Sequence, residues 1–324
     1  MRNLHLVLLI PFLLVACNAQ TNTRNIIITT STTPIINNNL PQVVTTTSVL
    51  CDLTKQIAAD TINLTCIIPP NTNPIRYQPK PEDSKAINRA KLILYNGYNL
   101  EPQAFKLIKA SKNPALKIAV GERAVPKPQF IQQGNKKFSN PYLWHDAKNT
   151  TTMVNIISNN LKKVAPKNAG LYTKNSQKLK SEITQLDKWI RLRIASIPTS
   201  QRKLITTHPE LGYYTSSYGL SYQIVADVDS QQKSLSPTST ALINNIKQTR
   251  IPTIFAENNI NPNLVATFKK QADVRISERP IFANNLGLPG SESDTYQKMM
   301  VANTRTIVEG LGGTYLIFEP IAKK

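Results

Sequence analysis

The chain has 324 residues, 40% of them hydrophobic, and carries 39 Lys and Arg against 19 Asp and Glu, a formal charge of +20. A chain of this length buries a sizeable core, and at the usual domain size it divides into two lobes. The positive field favours anionic surfaces; in an exported protein those are lipid head groups or wall polymers, a coat that only keeps the chain soluble is the other reading, and nucleic acid is set aside as a partner.

Export is read from the first residues. Met1-Arg2-Asn3 is a short cationic start, followed by an apolar run from Leu4 to Ala16 that only His5 and Pro11 interrupt. A bilayer span needs about 20 apolar residues, so this shorter run reads as the core of a secretory signal. Leu14-Val15-Ala16-Cys17 resembles the bacterial lipobox, whose thiol receives diacylglycerol; an ordinary cleaved signal with a chance cysteine is the other reading. The expectation is a signal peptide over 1–16, a lipid anchor through Cys17, and a position on the extracytoplasmic face of a bacterial membrane. No second long apolar stretch follows. Cys51 and Cys66 then remain, and an even remainder in an exported protein suits a disulfide. Their spacing does not tell whether the two side chains face each other.

Residues 17–42 are expected to form a flexible tether, rich in Asn, Thr and Ile with Pro34 and Pro41, although Ile26–Ile28 could add an edge strand. Val43–Thr46 is a β-branched strand, and Ser48–Ala59 an amphipathic helix with Val49, Leu50, Leu53 and Ile57 on one face. Asn63–Ile68 alternates like a second strand. Pro79–Ala90 is helical, Lys91–Tyr95 is a buried strand that ends at the Asn96-Gly97 turn, and Leu116–Val120 adds another. Strand and helix in alternation imply a parallel sheet with crossover helices. From Asn168 to Ile197, Leu179, Ile183, Leu186, Ile190, Ile194 and Ile197 recur at steps of four, three, four, four and three. That is one amphipathic helix about 45 Å long if complete, longer than one lobe needs and suited to a strut between two. Alternation then resumes with strands at Lys203–Thr206, Tyr222–Val228 and Pro252–Phe255. A helix opens at Ser236-Pro237-Thr238, and a last one, Tyr296–Leu311, stops at Gly312-Gly313. The fold class is therefore α/β, with two lobes, each a mainly parallel sheet flanked by helices, joined by one long rigid helix. Their bounds are 43–167 and 198–324, with the linking helix over 168–197.

Several segments together resemble the metal-specific solute-binding proteins of bacterial ABC importers. Lys91-Leu92-Ile93-Leu94-Tyr95-Asn96-Gly97-Tyr98-Asn99-Leu100-Glu101 resembles that family's strand and Asn-Gly turn. Thr207-His208-Pro209-Glu210-Leu211-Gly212-Tyr213-Tyr214 followed by Tyr218-Gly219-Leu220 is similar to its histidine segment, and Pro252–Glu257 to a later strand. The likeness runs from Val43 to Leu311 in order. It implies an extracytoplasmic receptor that captures manganese, zinc or iron between the lobes, acts as a monomer and delivers its cargo to a membrane permease.

The resemblance also implies four ligand positions, and here the sequence departs. Ile75, in Asn73-Pro74-Ile75-Arg76-Tyr77, stands where the first histidine is expected, and Tyr142, in Asn140-Pro141-Tyr142-Leu143-Trp144, replaces the second. His208 is retained as the third, and Asn284 replaces an aspartate as the fourth. Isoleucine donates nothing, and a phenol and an amide are weak neutral donors beside the imidazole, thiolate and carboxylate that transition metals favour. His145 and Glu210 lie close in sequence to these positions and are further candidates; Arg76 beside Ile75 suits an anionic chelate. Glu257 reads as a structural acid. The chain lacks a G-x-S-x-G elbow, a P-loop and a dinucleotide-binding glycine pattern, so no enzyme is expected. The alternative function is a surface lipoprotein that keeps the fold without ion binding and adheres, scaffolds or regulates through its basic face.

Overall fold

The computed structural model describes residues 39–133, 136–206, 209–224, 253–256 and 275–321, with Asn244 and Lys270. The expected signal, Cys17 and most of the tether, with its Ile26–Ile28 run, lie outside the described residues. So do His208, Glu257, the helix expected at Ser236 and the end of the strand begun at Tyr222.

The first sheet is built from β1 (Gln42–Thr45), β2 (Asn63–Cys66), β3 (Leu92–Tyr95) and β4 (Leu116–Ala119). They lie in the order β2-β1-β3-β4 with every pairing parallel. The crossovers are α1 (Ser48–Ala58), α2 (Pro81–Arg89) and α3 (Pro102–Ala110). Thr47 Oγ1 starts α1 by accepting from Leu50 N at 3.3 Å, which satisfies one of the free amides at a helix start. Both sheet faces are apolar, as a covered parallel sheet requires. Val43, Leu92 and Leu94 face a large core shared with α1, while Val44 and Ile93 pack with Ile87, Ala104 and Ile108 of α2 and α3.

A disulfide joins Cys51 of α1 to Cys66 at the end of β2, with Cα atoms 5.7 Å apart and a sequence separation of 15. Reduction, or serine at both positions, is expected to lower the unfolding free energy by about 3 kcal/mol through the freed loop entropy. Urea titration with and without dithiothreitol checks this, and an unmoved midpoint would refute it.

After β4 come a short helix α4 (Val120–Ala124) and an antiparallel hairpin of β5 (Phe130–Gln133) and β6 (Lys136–Ser139). Helix α5 (Ala147–Val164) follows, capped by Asp146 Oδ1, which accepts from Lys148 N at 2.8 Å. The hairpin and α5 are absent from the sequence reading.

The long helix α6 runs over Ala169–Ala195, about 40 Å at 1.5 Å per residue. Tyr172, Leu179, Ile183, Leu186, Ile190 and Ile194 are its buried stripe, packed against α1, α5 and the last helix, α8 (Tyr296–Gly310). The second lobe begins with β7 (Lys203–Thr206), α7 (Gly212–Tyr218) and β8 (Ser221–Ile224), and continues with β9 (Thr253–Ile254) and β10 (Arg275–Ile276). Strands β7 and β8 pair in parallel, as do β9 and β10, and a parallel bridge from Thr206 to Phe255 joins the two pairs. The resulting order, β8-β7-β9-β10, repeats that of the first sheet. One core continues from Leu94 through α5 and α6 to Leu204, Phe255 and Met299.

Past α8 the chain lies back along α6. Trp189 Nε1 donates to Leu316 O at 3.1 Å, and the Gln185 amide both donates to Ile321 O (3.2 Å) and accepts from Ile321 N (2.7 Å). No helix among the described residues is long and apolar enough to cross a membrane.

Candidate functional site

The first-lobe wall is set by loops at the carboxyl ends of its strands, where parallel α/β sheets collect ligands. Asn73 opens a 3₁₀ turn over Pro74–Arg76, its Oδ1 accepting from Ile75 N at 2.9 Å. Ile75 is 47% exposed there, an apolar side chain turned to solvent. The turn is moored by Tyr77, whose hydroxyl donates to Asp83 Oδ2 at 2.7 Å, the same oxygen that accepts from Lys80 N. Burial and the neighbouring carboxylate together push the Tyr77 phenol well above its ordinary range.

At the end of β3 the chain reverses through Gly97, whose φ of +87° suits glycine. Asn96 is fully buried; its side chain donates to Pro141 O at 3.0 Å, tying the turn to the segment that bears Tyr142. Glu101 closes the same turn from below, accepting from Asn96 N (2.6 Å) and Thr46 Oγ1 (2.9 Å). Burial pushes its carboxyl up to about 7, against the opposing pull of those donors.

Tyr142 is itself buried, with its amide on Asn140 Oδ1 at 3.0 Å and its ring edge-on to Trp144 at 5.7 Å. Three residues on, in the 3₁₀ turn Leu143–His145, the His145 ring is fully buried. Its Nε2 lies 2.6 Å from Ala283 O. A carbonyl only accepts, so Nε2 carries the proton. Burial lowers the imidazole to about 4, outweighing the carbonyl bond, and the ring is neutral at pH 7. That buried nitrogen is engaged and is not presented to an incoming ion.

The second-lobe wall is the segment Ile281–Leu286. Ile281 N donates to Ala256 O at 2.8 Å, rooting the segment beside β9. Asn303 of α8 grips Phe282 twice, accepting from its N (2.8 Å) and donating to its O (2.9 Å). Asn284 is 3% exposed and accepts from the Asn285 side-chain amide. Leu286 then reaches the first lobe: its N–H donates to Ser48 Oγ at 2.9 Å, and its carbonyl accepts from Asn71 N at 2.8 Å. A further contact between lobes forms where Gly212 opens α7: a Cβ there would lie 2.9 Å from Asn140 Nδ2, so only glycine fits without a shift.

Tyr142 and Asn284 thus belong to segments that His145 and Ala283 bind together. Ile75 stands on the moored turn, and Glu210 is buried just before α7. Among the described residues no group of three or more His, Cys, Asp or Glu gathers into a metal-ligating cluster. Ser48, Asn71 and Asn303, which hold the Leu286 and Phe282 backbone, escaped the sequence reading. Asn303 alone left a signal, a polar residue on the apolar face of the last helix.

Two sheets of matching order, one spine helix and a loop of one lobe held by the other define the two-lobed class of solute-binding proteins. The chain belongs to the ZnuA family, described as the periplasmic component A of the zinc-uptake complex, whose model matches residues 43–310. It is 28% identical over 313 residues to the metal ABC transporter substrate-binding lipoprotein SsaB of Streptococcus sanguinis, covering 95% of this chain and 97% of that one. It is 29% identical over 276 residues to the manganese ABC transporter substrate-binding lipoprotein PsaA of Streptococcus mitis, covering 83% of this chain and 89% of the relative. Its fold superposes on the periplasmic zinc-binding protein TroA of Treponema pallidum with a TM-score of 0.76 at 27% identity, covering 84% of this chain and 99% of TroA.

Proposed function

We propose that this chain is the extracytoplasmic receptor of a metal-ion ABC importer, anchored by lipid at Cys17. It captures a divalent metal or metal complex between its lobes and presents it to a membrane permease. The observation that carries this reading is the meeting of the Asn284 segment with Ser48, Asn71 and His145 in a fold that matches the family over most of its length. The cargo is substrate and not a resident group, so the protein's work is capture and release, and no catalytic step is assigned to it.

His208 supplies the imidazole of the proposed site, with the Tyr142 phenol and the Asn284 amide as neutral oxygen donors. Such a set lacks the charged ligands that compensate a divalent cation, so its grip is weaker than that of a full histidine–carboxylate set. A metal already carrying an anionic chelator needs fewer protein ligands, and Arg76 on the rim suits its charge. In calorimetric titration of the purified full-length lipoprotein with Zn²⁺, Mn²⁺ and Fe²⁺, one ion is expected to bind per chain. His208→Ala is expected to weaken it by at least about tenfold, since loss of even an outer-shell partner has an effect of that order. Absence of binding by all three ions would defeat the free-cation cargo. Retained affinity in the variant would remove His208 from the site.

A further inference from the structure

Among the described residues, three hydrogen bonds to first-lobe elements hold the wall segment of the second lobe beyond Phe282. Two of them, from Ser48 and Asn71, fall on Leu286 at its far end. The third is the bond from His145 Nε2 to Ala283 O, next to Asn284. Ala283 and His145 are both at 0% exposure, so no water substitutes for a lost partner there. The His145 ring is mounted rigidly, with Trp144 against it at 5.6 Å and α5 beginning two residues later. Its other nitrogen, Nδ1, has no hydrogen-bond partner among the described residues. Among the described residues the one polar contact of this side chain is the carbonyl that adjoins Asn284.

We infer that His145 is a positioning residue. It fixes the backbone that carries Asn284 and so couples the Tyr142 side of the cleft to the Asn284 side, without itself touching the cargo. The inference rests on the reading of Asn284 as a cleft donor. The physical basis is geometric: Tyr142 and His145 share one rigid turn, so a bond from that turn to Ala283 sets the spacing of two segments that belong to different lobes. A ligand position needs its supporting shell held to within about half an ångström. An unsupported carbonyl in a dry site would move or open to find another donor.

The test compares the full-length wild type with His145→Leu and His145→Gln. Leucine fills the space without donating, whereas the glutamine amide restores a donor toward the same carbonyl. Hydrogen exchange at residues 284–286 is expected to accelerate at least about tenfold in His145→Leu, with β1 and β3 unchanged, and to return toward wild type in His145→Gln. Affinity for Mn²⁺ or Zn²⁺ alone is expected to fall about tenfold in the leucine variant and recover in the glutamine variant. Unchanged exchange at 284–286 would overturn the inference, as would a glutamine variant no better than leucine. Faster exchange with unaltered affinity would make the bond purely structural and overturn it too. Should the wild type bind neither ion, the cargo reading fails, and exchange with its rescue decides the positioning role by itself.

Discussion

Replacing Leu186 by alanine is expected to lower the unfolding free energy by about 2–5 kcal/mol, the range for removing a large aliphatic side chain from a closed core. Leu186 is at 0% exposure in the middle of α6, inside the core that both lobes share. The lost methyl groups leave a cavity bounded by helices that cannot collapse without moving the spine, which argues for the upper half of that range. Leu192 lies on the same helix but is 64% exposed, and its alanine variant is expected to stay within about 0.5 kcal/mol of wild type. Equilibrium urea unfolding of the pair makes the comparison. Equal losses at the two positions would mean that α6 is stabilised by its own propensity and not by the core it crosses.

The pH dependence of stability is expected to turn on Glu101. Its carboxyl is raised from the ordinary value of 4.5 to about 7, chiefly by burial. The folded chain therefore holds a proton that the unfolded chain releases. Stability from this group is complete below pH 4.5 and declines as pH rises to 7, by about 3 kcal/mol. Asp52, raised to about 6 by burial despite bonds from Tyr296 N and Gln56, acts in the same direction. His145 acts oppositely: it is lowered from 6.5 to about 4, so its contribution is full above 6.5 and is lost on acidification. Between pH 4.5 and 6 His145 offsets only one of the two carboxyls, so the wild type still loses stability over that range as pH rises. In Glu101→Gln the carboxyl contribution disappears. The difference in unfolding free energy between variant and wild type should then move in the variant's favour by about 3 kcal/mol between pH 4.5 and 7.5. A difference that stays constant with pH would show that Glu101 keeps an ordinary carboxyl.

Most of the architecture was legible because it follows from the order of neighbouring residues. The apolar stripe of α6 announces a long helix, and the alternating strands and helices announce parallel sheets. Helix α5 is hard to see in the sequence although Met153, Val154, Ile157 and Leu161 form its buried face; the Asn and Thr between them weaken the helical signal. The β5–β6 hairpin carries only short strands with exposed Phe130 and Phe138, so its hydrophobic alternation does not mark an inner face. The run after α8 has no period at all, and it is Trp189 and Gln185, far earlier in the chain, that give it a place.

The site was less legible. The motif around Asn140 marked where Tyr142 stands but not that its neighbour three places on turns inward to the other lobe. His145 and Glu210 look alike as candidates on paper, and only burial and the Ala283 carbonyl assign the histidine a partner.

By itself the amino-acid order determined the α/β class, the spine helix and the identities at Ile75, Tyr142, His208 and Asn284, since periodicity and residue chemistry are local properties. The tertiary structure alone decided that Cys51 meets Cys66, that Ser48 and Asn71 seize Leu286, and that the His145 imidazole is a buried donor. Those outcomes depend on distances between residues remote in the chain, and on the exclusion of water around them, which no local pattern encodes.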